Sequence, residues 1–472
     1  MIAVVLAGAL AVGSAHHPVS TSSARAQALF DAGLTMLYSY NQEAARSDFQ
    51  AARVADPHLA IAAWGEALAD GSDLNTELNT VRFDRAQAAA LQAVSLERYA
   101  SSQERALIDA VAQRYAGTWA ERAGDERRYR SSMAAVVSAY PNDDDAAMLY
   151  VEALLEAHTI SDLWKTDGTP ASADTTTIVR LIRMVLSRDP QHLMANHLCI
   201  HAYDYAADRT PARACADRLE SMQLPPQAEH LAHIPAHTYM EIGEYGKAIA
   251  SSERAYGMEH TKYAAHDAYV GWNAAMMLGD GGLAQKWAAR FGTETATSVR
   301  LTTLARFGDW QAILAAASQR DLYKPFALGL AYAHAGNLPA ARAQAALISK
   351  AAAATDFREL LAAEIAERQG DAAQSAAALR RAGEYQGNAD GAETVPLFPA
   401  GESLGALYYR AANFQKARET FAAVLSAYPN DPRALYGMAL SLQRLGDSSG
   451  ASRALKRFDA LWAAAPPRVE DL

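Results

Sequence analysis

Apolar residues recur along this chain at helical spacing, i, i+3, i+4 and i+7, and small residues interrupt them at fixed places. The clearest case is "LGALYYRAANFQKARETFAAVLSAYPNDPRALYGMALSLQRLGDSSGASRALKRF", Leu404 to Phe458. Gly405 and Ala439 are 34 residues apart, as are Asn413 and Asp447, Ala417 and Ala451, and Phe421 and Leu455. Small residues at a fixed interval let two helices approach closely. An Asn or Asp at the same interval marks the turn between them. Pro429 and Pro432 bracket the start of the next helix. The pattern predicts pairs of helices joined by tight turns. Period-two alternation bounded by turns is not sustained anywhere, so no sheet is expected.

The turn signature repeats upstream. "AHAGNLPAA" and "AERQGDAAQ" place Gly336 and Gly370 34 residues apart, and "EIGEYGKAI" and "MLGDGGLAQ" place Gly243 and Gly279 36 apart. "RFGDWQAIL" is another, and "ALFDAGLTMLYSYNQEAARSDFQAARVADPHLAIAAWGEAL" reads as one full unit and the start of the next. These units resemble the tetratricopeptide repeat family, in which each repeat is a helix A, a tight turn and a helix B. The resemblance implies an all-α, right-handed superhelical solenoid of antiparallel helix pairs, running from residue 18 to 472. Two stretches fit less well, 161–177 and 385–401, and are expected as surface insertions.

Charge and composition narrow the partners. The 472 residues carry 43 Lys and Arg against 53 Asp and Glu, a net charge of −10, with no basic block. Nucleic acid is therefore not expected as a partner. The segment Ile2 to Val12 is apolar and is followed by Gly13-Ser14-Ala15, which reads as a signal-peptide-like segment over residues 1–17 and predicts export to the periplasm or the medium. It lacks the usual basic start. His16 and His17 would then open the mature chain as a flexible tail. No later run reaches the ~18 apolar residues needed to span a membrane. The two cysteines, Cys199 and Cys215, fall on the A and B helices of one repeat and are expected close enough to pair.

Most of the histidines lie between residues 192 and 266. "HLCIH" places His197 and His201 at i and i+4, on one helix face, and "HLAHIPAH" does the same for His233 and His237, with His230 one turn before. A step of 36 residues carries His197 to His233 and on to Tyr269, His201 to His237 and on to Asn273, and His230 to His266. Equivalent positions in neighbouring repeats lie about 10 Å apart on one wall. Two imidazoles at i, i+4 can chelate one ion, and two such pairs can complete a coordination shell. Imidazole with one carboxylate, here Asp204, suits zinc, copper or iron better than calcium or magnesium. Asp204 could equally be an acceptor that fixes a ring tautomer. Glu152 and Trp64 are candidates to line the same groove, against the default of a solvated or capping carboxylate for Glu152 and of core packing for Trp64. Pro235 should break or bend its helix. No nucleotide-binding motif is present, and His-Glu-x-x-His is absent.

"DAGLTMLYSYNQEAARSDFQAA", "AAWGEAL", "ANHLCIHAYD" and "HLAHIPAHTY" together resemble a histidine-rich branch of exported bacterial tetratricopeptide-repeat proteins. That resemblance implies a fold and a site but no reaction. Two functions from different classes follow. One is a transition-metal site in the concave groove, serving a metal-dependent binding protein or enzyme. The other is an interaction scaffold gripping a peptide or small molecule in the groove, without metal or catalysis.

Overall fold

A computed structural model describes residues 13–258, 263–316, 324–348, 355–387 and 396–462. The apolar segment Ile2–Val12 lies outside the described residues, as do residues 388–395 of the 385–401 stretch. Among the described residues the regular structure is helical, apart from two isolated bridges, Asp73 with Thr76 and Trp164 with Pro170. None of their helices is long and apolar enough to cross a membrane.

The chain forms two compact units. The first comprises Met1–Thr238 with Arg254–Tyr263, and the second Tyr239–Glu253 with Ala264–Leu472. In the first unit the helices pair in order, beginning with Ala24–Tyr38 and Gln42–Ala55, then Ala60–Ala69 and Thr80–Ser95. The pair Leu193–Tyr203 and Thr210–Ser221 follows later, then the short helix Glu229–His233. In the second unit Ala264–Met277 pairs with Gly281–Ala288, and the series ends with Pro432–Arg444 and Ser448–Asp459.

Glycine and phenylalanine explain the small-residue register. Phe49 is fully buried between Gly33 and Gly65, where an added Cβ would come within 2.7 and 2.6 Å of its ring. Phe421 sits likewise between Gly405 and Gly437, at 2.6 and 2.2 Å. One aromatic knob from a B helix thus fills the space left by two flanking A helices. Burial of such a ring contributes about 2–3 kcal/mol. Leu455, expected to repeat Phe421, is only half-buried, and Phe458 takes the core place in this last pair.

The turns share one construction. A residue with positive φ ends the A helix, and the N–H of the next residue returns to the carbonyl five positions back. Gly446 has φ 86°, and Asp447 N–H donates to Leu442 O at 2.9 Å. That next residue then caps the B helix, as Asp447 accepts from Gly450 N–H at 2.8 Å. This is the Schellman closure followed at once by an N-cap. Eight such turns occur among the described residues, and glycine holds the positive-φ position in six: Gly243, Gly279, Gly308, Gly336, Gly370 and Gly446. The other two are Tyr40 and Ala412. A side chain in this conformation costs about 1–2 kcal/mol.

Cys199 and Cys215 form a disulfide, with Cα atoms 6.3 Å apart, tying the two helices of one repeat. The N-terminal residues are not a free tail. Gly13 N–H donates to Gln223 O at 3.0 Å, Ala15 N–H donates to Thr35 Oγ1 at 2.9 Å, and His17 is buried.

Candidate metal centre

Three imidazoles meet in the first unit. His197 and His201 come from the helix Leu193–Tyr203 and His230 from Glu229–His233. His197 Nε2 lies 3.0 Å from His230 Nε2 and 3.2 Å from His201 Nε2. All three residues are buried. For ligands about 2.0–2.1 Å from a tetrahedral ion, neighbouring nitrogens stand about 3.3 Å apart, so the spacing is that of one coordination shell.

Hydrogen-bond chemistry fixes how these nitrogens face each other. His197 Nδ1 is 3.0 Å from Tyr38 O. A carbonyl only accepts, so Nδ1 carries the proton and neutral His197 presents a bare lone pair at Nε2. Tyr38 ends the helix Ala24–Tyr38, and its carbonyl is one of the terminal acceptors that the helix leaves open. That single lone pair of His197 faces two other ring nitrogens. One N–H can satisfy it and the second cannot, whereas one cation would satisfy all three lone pairs together. His230 Nδ1 is buried without a hydrogen-bond partner.

The environment keeps His197 and His230 neutral. Burial, with a smaller repulsion from His201, holds His197 well below the ordinary imidazole range despite the Tyr38 carbonyl. Burial and the neighbouring imidazoles do the same for His230. Asp204 Oδ2 is 3.6 Å from His201 Nδ1, on the far side of that ring from Nε2. This places Asp204 where it can orient the ring and not where it could join the three nitrogens, which corrects its expected place among the ligands.

The 36-residue register is also corrected. His197 meets His230, 33 residues on, and not His233. His233 and His237 instead face each other, Nε2 to Nε2 at 2.6 Å. His230 and His233 share the short helix Glu229–His233, and the rotation of that helix sets which of them faces His197. The expected break follows it, where Pro235 has no N–H to continue the helix and Pro235–Glu241 begins. His266, Tyr269 and Asn273 lie on Ala264–Met277, which belongs to the second unit. Trp64 is buried against Phe30 in the core, with ring centroids 6.5 Å apart, and does not line a groove.

Glu152 belongs to an adjoining carboxylate group. Burial, then Glu156 and Asp73, push Glu152 well above the usual range, and burial raises Glu156 to about 7 against the opposing charge of Arg114. Arg114 donates to Glu156 at 2.7 Å. This group touches the histidines through the loop Asp73–Asn75, where Asn75 Nδ2 stands 3.4 Å from His230 Nε2. His158 lies elsewhere, in a half-exposed pair with Asp174 at 2.9 Å.

Residues of the first turn are what the histidine spacing could not indicate. The Tyr40 ring stacks on His230 with centroids 5.3 Å apart and meets His197 edge-on at 4.5 Å. Tyr263 lies against His230 at 4.8 Å. The only local signal for Tyr40 is an aromatic at a turn position where six of the eight described turns use glycine.

A second cluster surrounds Asp145. His17 Nδ1 is 2.8 Å from its Oδ2, Tyr38 Oη donates to Oδ1 at 2.6 Å, and His192 Nε2 is 3.3 Å from Oδ1. Asp143 is nearby, but it caps Ala146 and accepts from Gln103 Nε2 at 2.7 Å.

Comparison with known proteins agrees with this architecture. Residues 403–431 match the tetratricopeptide repeat family. No curated protein sequence matches the chain. Among solved structures, Ypp1 is similar over 97% of this chain and 78% of its own, with a TM-score of 0.50 and 9% identity. The Cut9-Hcn1 hetero-tetramer of APC/C covers 81% of this chain and 76% of its own, at a TM-score of 0.37 and 11% identity. Yeast Tom70 covers 93% and 92%, at 0.27 and 11%. At such identities the likeness to Ypp1 supports the fold alone, and the two lower scores add no argument. In fold, the chain is an all-helical array of tetratricopeptide-repeat type.

Proposed function

We propose that the first unit binds one transition-metal ion through His197, His201 and His230. The observation that carries this reading is the convergence of three Nε2 atoms at 3.0 and 3.2 Å while Tyr38 O fixes the His197 lone pair inward. Three imidazole ligands suit zinc, copper or iron. Such an ion would hold the helix Leu193–Tyr203 to the first repeat through Tyr38, and it would leave a fourth position for water or a small ligand. Export is proposed alongside it, since a disulfide persists in an oxidising compartment.

The experiment is metal analysis of protein purified without a histidine tag, followed by titration with zinc and cobalt(II). About one equivalent per chain is expected in the intact protein, and none that survives buffer exchange in His197→Ala. An intact protein that holds no metal, and whose melting temperature no transition metal raises, would overturn the reading.

A second reading rests on the second unit. A cavity of about 290 Å³ there is lined by Arg306, Trp310, Phe326, Ser375, Phe398 and Glu402. Ser375 Oγ and Arg306 Nε are buried without hydrogen-bond partners. Together with the repeat fold this supports a peptide or small-molecule partner for that unit. A pull-down or calorimetric titration insensitive to Arg306→Ala and Phe326→Ala would count against it.

A further inference from the structure

We infer that Tyr40 is a positioning residue of the metal centre, held in a left-handed backbone conformation so that its ring clamps the imidazoles of His197 and His230. This rests on the metal reading above and adds to it a residue from the opposite end of the unit's sequence.

The comparison is internal to the chain. Eight turns close with the same pair of backbone hydrogen bonds, and six place glycine at the positive-φ position. Ala412 carries only a methyl group there, and it is exposed. Tyr40, at φ 53°, is the single large side chain in this place among the described turns, and it is 2% exposed. Asn41 N–H still returns to Met36 O at 3.0 Å, and Asn41 still caps Ala44, so the turn itself has no need of an aromatic. Glycine would serve its closure better.

What the ring does is visible in its contacts. It lies parallel over His230, edge-on to His197 and parallel to His201, with centroids at 5.3, 4.5 and 6.4 Å. Its hydroxyl is buried without a hydrogen-bond partner. His230 needs such support. Its Nδ1 makes no hydrogen bond, so nothing on the outer edge orients the ring as Tyr38 O orients His197, and besides His197 its Nε2 has the long 3.4 Å contact to Asn75 Nδ2. Packing by Tyr40 on one side and Tyr263 on the other takes over that task. A ligand ring that can tilt loses affinity, because coordination requires its lone pair on one axis.

The test compares Tyr40→Phe with Tyr40→Gly and Tyr40→Asn in the full chain, using cobalt(II) as the ion. Asparagine tolerates the left-handed region, so it guards against a glycine variant that fails to fold. Tyr40→Phe should keep cobalt affinity within about threefold and leave the visible ligand-field bands unchanged. Tyr40→Gly and Tyr40→Asn should each weaken binding about 10–100-fold and shift those bands, while circular dichroism keeps its helical signal. Wild-type affinity and bands in either ringless variant would overturn the inference. If the wild-type chain takes up no cobalt, the metal reading fails by itself. The ring's role is then read from the imidazole ¹⁵N shifts of His197 and His230 in metal-free protein. Shifts that are the same with and without the Tyr40 ring overturn the inference, and shifts that change sustain it.

Discussion

Two histidine clusters lie in the first unit, and Tyr38 contributes to both. Its carbonyl accepts from His197, and its hydroxyl donates to Asp145 between His17 and His192. Around Asp145 each carboxylate oxygen has donors, so that cluster is complete as it stands. It seats the N-terminal residues on the first repeats. Around His197 the count does not close, because three ring nitrogens share one inward lone pair and at most one N–H can answer it. The residue types are alike and the inference differs. A histidine cluster points to a ligand when its donors and acceptors fail to match, and not merely because imidazoles are near one another.

The sharpest way to break this comparison is to remove one member of each cluster. His197→Ala should lower cobalt or zinc affinity at least 100-fold, equivalent to about 2.8 kcal/mol at 1.4 kcal/mol per tenfold. His192→Ala should change it less than threefold, since His192 caps its helix and meets Asp145. Asp145→Ala should show the reverse pattern. It strands two imidazoles and a tyrosine hydroxyl, and should cost about 2 kcal/mol of folding stability in urea titration, with metal affinity nearly unchanged. If both variants lost metal to the same degree, the clusters would be one site and the distinction drawn here would fall.

The disulfide offers a smaller, sharper separation. Cys199 lies within the helix that carries His197 and His201, but its bond runs outward to Cys215 and not toward the imidazoles. The paired Cys199→Ser, Cys215→Ser variant should lose about 1–3 kcal/mol of stability, since the closed loop is short and engineered and native bridges vary widely. Cobalt affinity should fall by less than fivefold. A larger fall would mean that the bridge, and not the Tyr38 carbonyl, holds the ligand helix in place.

The helix pairs, their turns and the i, i+4 histidines were all legible in the sequence, because each depends on spacing within one or two repeats. Pro235 announced its break for the same reason. The direction of that break was not legible. Whether His230 or His233 faces His197 depends on how far the short helix Glu229–His233 is rotated, which no periodicity records. Tyr38 and Tyr40 were beyond reach for another reason. They are about 160 residues from His197, and only packing of the first repeat onto the helix Leu193–Tyr203 brings them there. Trp64 takes the ordinary place of a large aromatic, buried beside Phe30 in the core.

The last and smallest expected effect is a pH profile belonging to the Asp145 cluster alone. Burial pulls the His17 imidazole down, but the hydrogen bond and charge of Asp145, with Asp143 and Glu104, more than reverse it and raise its pKa. A raised folded pKa means stability fully present below the unfolded value, about 6.5, and lost as pH rises through the folded one. Burial pushes Asp145 up, but His17 and His192 outweigh it and hold the carboxyl below its ordinary range. A depressed pKa means stability present above the unfolded value, about 3.9, and lost as pH falls through the folded one. The two windows overlap between about pH 4 and 6.5. There, His17→Gln should lower stability by about 1 kcal/mol, measured as a shift in the urea midpoint at constant slope. The difference from wild type should shrink as pH rises through the raised folded pKa of His17, where its charge is lost. A difference that stays constant from pH 5 to 9 would show that His17 contributes packing and not charge, and the N-terminal residues would then be held by their backbone contacts to Gln223 and Thr35.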